Sequence, residues 1–245
     1  MGRDDACRQG LHVRPGGHAR RRGRRHATHV GDVPAATTAA QLARRFGPAQ
    51  LAGIEKALAE VTARALRLLP KRTVRRLMTT RPTIDLDPTD VEVYGSKKER
   101  VGWNYAGQRC GLPYPVTWAE AGVVLAADLL SGNDDPRPVT PGLVARAVAA
   151  LPPGLPRPCT RADAGLFDGK IAWAALHAGA DFAIAAKRNQ AIWRAIRATP
   201  ESAWAPAKRM AGAQVAEVAY VPAGWPPGTR AIVRRVRVSA ERVFC

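Results

Sequence analysis

The side chains in this sequence that could act together chemically are a few acids at strand ends and the cations near them. In Pro82–Tyr94 (PTIDLDPTDVEVY), Ile84 and Leu86 alternate with Asp85 and Asp87, the period-two pattern of a half-buried strand. Residues two apart share a face, so the aspartates point together and the aliphatics turn to the core. Pro88 has no N–H to donate and stops the ladder, leaving Asp87 at the strand end. That is where a metal site would place an acid, although two solvated carboxylates on an edge strand fit the alternation equally well. Asp163 ends a second short segment, residues 158–163 (PCTRAD). Two close carboxylates do not both stay ionised without a cation. Oxygen donors select Mg²⁺ or Mn²⁺ over zinc, and such ions assist phosphodiester cleavage.

The elements that would carry these acids follow from pattern. After the first strand come apolar strands over Tyr114–Trp118 and Val123–Leu129, joined by the turn Glu120-Ala121-Gly122. Leu143, Val144, Ala147, Val148 and Leu151 mark a helix ending at Pro152-Pro153. A helix over 168–178, a strand over Asp181–Lys187 and a helix over 190–197 complete the order β-β-β-α-β-α-β-α. Strands joined by short turns form an antiparallel meander, and strands separated by helices run parallel through crossovers. Strands one and four are then neighbours, which brings Asp87 and Asp163 toward one another. This is an α/β mixed sheet of the ribonuclease H-like kind.

Upstream, residues 36–69 carry apolar residues at helical spacing, broken into two helices by Gly47-Pro48. Such a pair suits either simple packing or a DNA-reading helix-turn-helix. Lys71, Arg72, Arg75 and Arg76 add a basic face. Residues 1–33 hold eight arginines against three aspartates, four of the five histidines and no hydrophobic period, and read as a disordered basic tail. The formal charge of +18 on 245 residues points to a polyanion, nucleic acid above all. Some of the arginine bias also suits a GC-rich coding sequence. Cys7, Cys110, Cys159 and Cys245 are scattered, which fits a reducing cytoplasm rather than a zinc site or disulfide framework. No run is long and apolar enough for a membrane span, and no signal peptide is visible.

Two segments, TIDLDPTDVEVYGSKKE and RADAGLFDGKIAWAALHAGADFAIAAKRN, resemble the first and second catalytic motifs of bacterial insertion-sequence transposases of the DDE type. The first motif is an Asp followed by x-Thr, here Asp87-Pro88-Thr89. The second is Arg-x-Asp-x-Gly, here Arg161 to Gly165. The likeness runs from about residue 80 to about 235. It implies Asp87 and Asp163 as catalytic metal ligands, with a weaker claim for Asp85, and Mg²⁺ or Mn²⁺ as cofactor. It implies DNA, both element ends and target, as partner, and a bacterial cytoplasmic, nucleoid-associated protein. A homodimer or an intact transposase copy is the expected protein partner.

The family's third acid, a Glu in a Tyr/Arg-x-x-Glu context, has no counterpart: Glu201, Glu217 and Glu241 all stand in other surroundings. The expectation is a chain truncated in the β-rich insertion and altered at its amino end, hence an inactive or incomplete copy. The rivals are a non-catalytic DNA-binding remnant and a two-acid nuclease. Expected boundaries are a tail at 1–33, a helical region at 34–80, the core at 81–199 and a partial β insertion at 200–245. Lys97, Lys98, Arg100, Arg161, Lys187 and Arg188 are expected phosphate contacts, with solvated turns and caps as their plainer reading. Trp103 and Tyr105 suit packing better than base stacking, and Trp173 and Trp193 are expected in the core.

Overall fold

The computed structural model describes residues 36–94 and 98–236. The chain forms two compact units that divide between Ala52 and Gly53. The first contains α1 (Ala36–Ala43) and the start of α2 (Pro48–Leu68). Gln50 Oε1 accepts the Gly47 N–H at 3.0 Å, half of a capping box, and Pro48 loses nothing in the first turn because its missing N–H would have had no partner there. The expected break therefore falls where the sequence puts it. The proposed tail at 1–33 lies outside the described residues.

The second unit contains the rest of α2, then α3 (Lys71–Thr79) and a seven-stranded mixed sheet. Its strands are β1 (Thr83–Leu86), β2 (Val91–Glu92), β3 (Gly102–Trp103), β4 (Arg109–Trp118), β5 (Val123–Ser131), β6 (Cys159–Ala162) and β7 (Asp181–Ile184). β1 pairs antiparallel with β4 and parallel with β6, β6 pairs parallel with β7, and β5 pairs antiparallel with β4. Strands one and four of the expected order are thus neighbours. Three helices are interleaved with the later strands: α4 (Thr140–Ala149) between β5 and β6, α5 (Gly169–His177) between β6 and β7, and α6 (Gln190–Ala198) after β7. A separate antiparallel sheet is formed by β8 (Ala205–Pro206), β9 (Ala213–Val218) and β10 (Ala231–Val236).

One face of the main sheet presents Ile84, Leu86, Leu112, Tyr114, Val116 and Trp118, and these form one core with Leu143, Val144 and Ala147 of α4 and Ile171 and Ala175 of α5. Each large aliphatic buried here contributes about 1.5–3 kcal/mol. β4 and β5 are longer than the expected strands and β7 is shorter. β1 and β2 lie along the same side of β4, interrupted at Asp87–Asp90. The Thr89 N–H reaches Pro113 O at 3.1 Å. Pro113 and Pro115 therefore turn their missing N–H groups toward that interruption, where no ladder bond is needed.

Four aromatic assignments need correction. Trp103 is 64% exposed and Tyr105 fully exposed, because Trp103 lies in the two-residue strand β3 at the margin of the sheet and Tyr105 in the turn after it. Trp173 and Trp193 are also partly exposed. The buried face of α5 is Ile171, Ala172 and Ala175, and that of α6 is Ile192. Small residues face the sheet and the bulky indoles sit at the sides. Trp118 is the tryptophan fully buried in the main core.

Candidate active site

The parallel register of β1 and β6 pairs Asp85 with Arg161 and Leu86 with Ala162. Asp87 and Asp163 are the next residues on two adjacent strands, each just past the last paired position, and both are exposed. Strands pair at about 4.8 Å, so the register alone brings the backbones of these two acids together at the carboxyl end of the parallel strands. Ligands in open α/β sheets bind at that end.

Asp163 is also a cap. Its Oδ1 accepts the Gly165 N–H at 3.0 Å and begins a 3₁₀ turn over Ala164–Leu166. A Cβ at residue 165 would lie 3.2 Å from that oxygen, which accounts for glycine at this place in the Arg-x-Asp-x-Gly element. Leu166, fully buried, anchors the turn. Asp168 then caps α5 through the Lys170 N–H at 2.8 Å.

Tyr114 lies beneath this end of the sheet, fully buried, with its hydroxyl 3.0 Å from Thr140 Oγ1. Thr140 in turn donates to Pro136 O at 2.8 Å. Burial pushes the phenol up to about 12. The Thr140 hydrogen bond opposes that rise, and the negative charges of Asp163 and Asp87 add to it. One buried hydroxyl therefore feels both acids. Its position in the alternation of β4 was legible, but its partner 26 residues away was not.

Asp85, the weaker candidate, is bound to Arg161 by two hydrogen bonds. That pairing raises the Arg161 pKa further. Lys187 and Arg188 are exposed just beyond β7, at the same sheet end as Asp87 and Asp163. Lys98 and Arg100 are exposed in the connection before β3, and Arg100 has φ +55°. Lys97 lies outside the described residues. Of the other acids considered, Glu217 of β9 pairs with Arg230 just before β10, and Glu201, in the turn before β8, pairs with Arg235 of β10. Glu241 lies outside the described residues. Among the described residues no three His, Cys, Asp or Glu side chains converge to hold a metal ion. The donors present, two exposed aspartates at adjacent strand ends, are oxygen ligands of the kind that suit a hard divalent cation.

The fold is of the mixed α/β class, with two aspartates at adjacent parallel-strand ends and exposed cations at the same end. Within that class the chain belongs to the family described as transposase DDE domain, group 1, which matches residues 32–244. The match begins well upstream of the segment carrying the two motifs. Membership implies DNA as the partner and, for the family, a divalent metal ion. No curated protein and no solved structure matches the chain. Among the described residues no helix is long and apolar enough to cross a membrane.

Proposed function

We propose that the second unit is a ribonuclease H-like transposase core that uses Asp87 and Asp163 to hold a divalent ion, Mg²⁺ or Mn²⁺, for strand cleavage and transfer at the ends of an insertion sequence. The observation that carries this is the β1–β6 register, which sets the two motif aspartates one step past the same paired position. When bound, the ion neutralises charge on a phosphodiester and makes water a better nucleophile. The protein's own share is positioning. The Gly165 N–H fixes one Asp163 oxygen and leaves the other free. Lys98, Arg100, Lys187 and Arg188 hold the DNA backbone nearby, and Arg161 serves Asp85 instead of phosphate. A protein with this activity works on the nucleoid, in the bacterial cytoplasm.

The described residues support an incomplete site. Glu201 and Glu217 are committed to Arg235 and Arg230, so neither stands as a third ligand. Alone, the chain is a DNA-binding protein with little or no cleavage, because positioning supplies most of the rate and a missing ligand loses it. This favours the non-catalytic reading for the isolated chain over a two-acid nuclease.

Two measurements test the reading together. Mn²⁺ binding, followed by electron paramagnetic resonance, should be detectable and lost in both Asp87→Asn and Asp163→Asn. Strand cleavage of end-containing DNA with Mn²⁺ should be absent. Binding that survives both substitutions rejects the metal assignment. Cleavage that Asp87→Ala abolishes rejects the incompleteness, with Glu241 the first acid to test.

A further inference from the structure

Past the end of β1, one buried amide uses every hydrogen bond it can make. Asn104 follows β3 in the turn to β4 and is 9% exposed. Its Oδ1 accepts the Ala106 N–H at 3.0 Å and the Gln108 N–H at 2.9 Å, and its backbone N–H donates to Gln108 O at 3.0 Å. Two backbone donors claim Oδ1, so the amide nitrogen faces the other way. There Nδ2 donates to Asp90 Oδ2 at 2.9 Å and to Gln108 Oε1 at 3.3 Å. A side-chain amide has two acceptor sites and two donor hydrogens, and all four are taken. The contacts to Ala106 and Gln108 stay within the turn. The one to Asp90 leaves it and ties β3 to a different part of the chain.

Asp90 closes the link Asp87–Asp90, where the line of β1 and β2 along β4 is interrupted. This link has few restraints of its own. Pro88 limits one φ, the Thr89 N–H reaches Pro113 O, and the Thr89 hydroxyl donates to Asp87 O at 3.3 Å. Strand β2, which follows, is two residues long and exposed, a weak anchor. Burial, and after it the Asp90 charge, push the nearby Cys110 thiol up, so that thiol keeps its proton and the carboxylate keeps its charge. A neutral donor facing a charged acceptor makes one of the stronger kinds of hydrogen bond.

We propose that Asn104 is a positioning residue: it fixes Asp90 and, through the link, holds Asp87 beside Asp163. The proposal rests on the assignment of those two acids to one metal ion. Strand β1 restrains Asp87 from one side only, and the tie to Asn104 supplies the other. A ligand whose backbone is already ordered loses less freedom when the ion binds, and small hard cations tolerate little misplacement of their oxygens.

Asn104→Asp separates shaping the turn from holding the link. It keeps an oxygen for the Ala106 and Gln108 N–H groups, but removes the donor and sets a second carboxylate against Asp90. Adding Asp90→Asn returns one donor and one carboxylate in exchanged places. Two readings are made on the full chain. Amide hydrogen exchange without metal reports on the link at Thr89 and Val93, whose N–H groups are bonded to Pro113 O and Arg109 O. Mn²⁺ binding, by electron paramagnetic resonance, reports on Asp87. Asn104→Asp should speed exchange at both amides and weaken Mn²⁺ binding, each by roughly tenfold, and the double substitution should bring both to within about threefold of wild type. A residue that only shaped its own turn would leave both readings unchanged in Asn104→Asp. Exchange at Thr89 that keeps the wild-type rate, or that the double substitution does not restore, overturns the tether. Mn²⁺ affinity that stays put while exchange accelerates overturns the positioning role. A wild-type chain that takes up no Mn²⁺ rejects the metal assignment itself, and the exchange rates still decide whether Asn104 holds the link.

Discussion

Arg161 grips Asp85 across two neighbouring parallel strands, Nε to Oδ1 at 2.6 Å and Nη2 to Oδ2 at 2.7 Å, two residues before Asp163 and Asp87 respectively. The pair locks the register of β1 on β6 at the point from which both acids project. Such a fork needs a planar guanidinium.

Arg161→Lys keeps the charge and loses the second bond. The expected outcome is a loss of about 0.5–1 kcal/mol in urea unfolding, because the pair is partly exposed and solvent screens it. The salt dependence of DNA binding should stay unchanged. A smaller salt slope would return Arg161 to the phosphate contacts.

Asp163 and Asp87 should separate in a stability assay although the proposed function joins them on one metal ion. Asp163→Ala removes the cap at Gly165 and should cost about 1 kcal/mol. Asp87→Ala, at an exposed position past the end of β1, should stay within about 0.5 kcal/mol of wild type. Thermal melts without metal show the difference, and melts with Mn²⁺ should show both variants deprived of the stabilisation seen in the wild type.

DNA binding by the second unit should weaken steeply with salt. Each phosphate contact contributes about 0.9 to the slope of log affinity against log salt on duplex DNA. Replacing Lys187 and Arg188 together by alanine should reduce the slope by up to roughly twice that amount, as read by fluorescence anisotropy across a salt series.

Glu120 gives the fold an acid-sensitive tie. Burial alone would raise its carboxyl, but hydrogen bonds from the Thr83 hydroxyl at 2.6 Å and the Thr83 N–H at 2.8 Å outweigh that and hold it below 4.5. A depressed folded pKa contributes stability above the unfolded value and loses it as pH falls through the folded one. The melting temperature should therefore drop on acidification below about pH 4.5, and Glu120→Gln should start lower and respond less to the same change.

The placement of Asp87 and Asp163 just past adjacent strand ends was legible because alternation fixes which face a strand residue takes and Pro88 stops the first strand. Helix α4 was legible for the same kind of reason, since its buried residues recur at three and four. The full length of β4 was not. The expected strand began only at Tyr114, just after Pro113, and the interruption on the neighbouring line of β1 and β2 shows where the missing proline donors go. The roles of the tryptophans were also beyond the sequence. An indole flanked by alanines reads as core until it is clear that the alanines themselves are the contact. The ties of Tyr114 to Thr140 and of Asp85 to Arg161 depend on tertiary proximity, which no local pattern encodes.

The 76 residues between Asp85 and Arg161 also set a timetable. Closing a loop of that length costs roughly 4 kcal/mol of chain entropy beyond a constant term, a cost the intervening β4–β5 hairpin lowers once it has formed. Until the loop closes, Asp87 and Asp163 belong to separate pieces of chain. A partly melted molecule keeps its basic residues but has no paired acids. The two acids meet only in a finished fold.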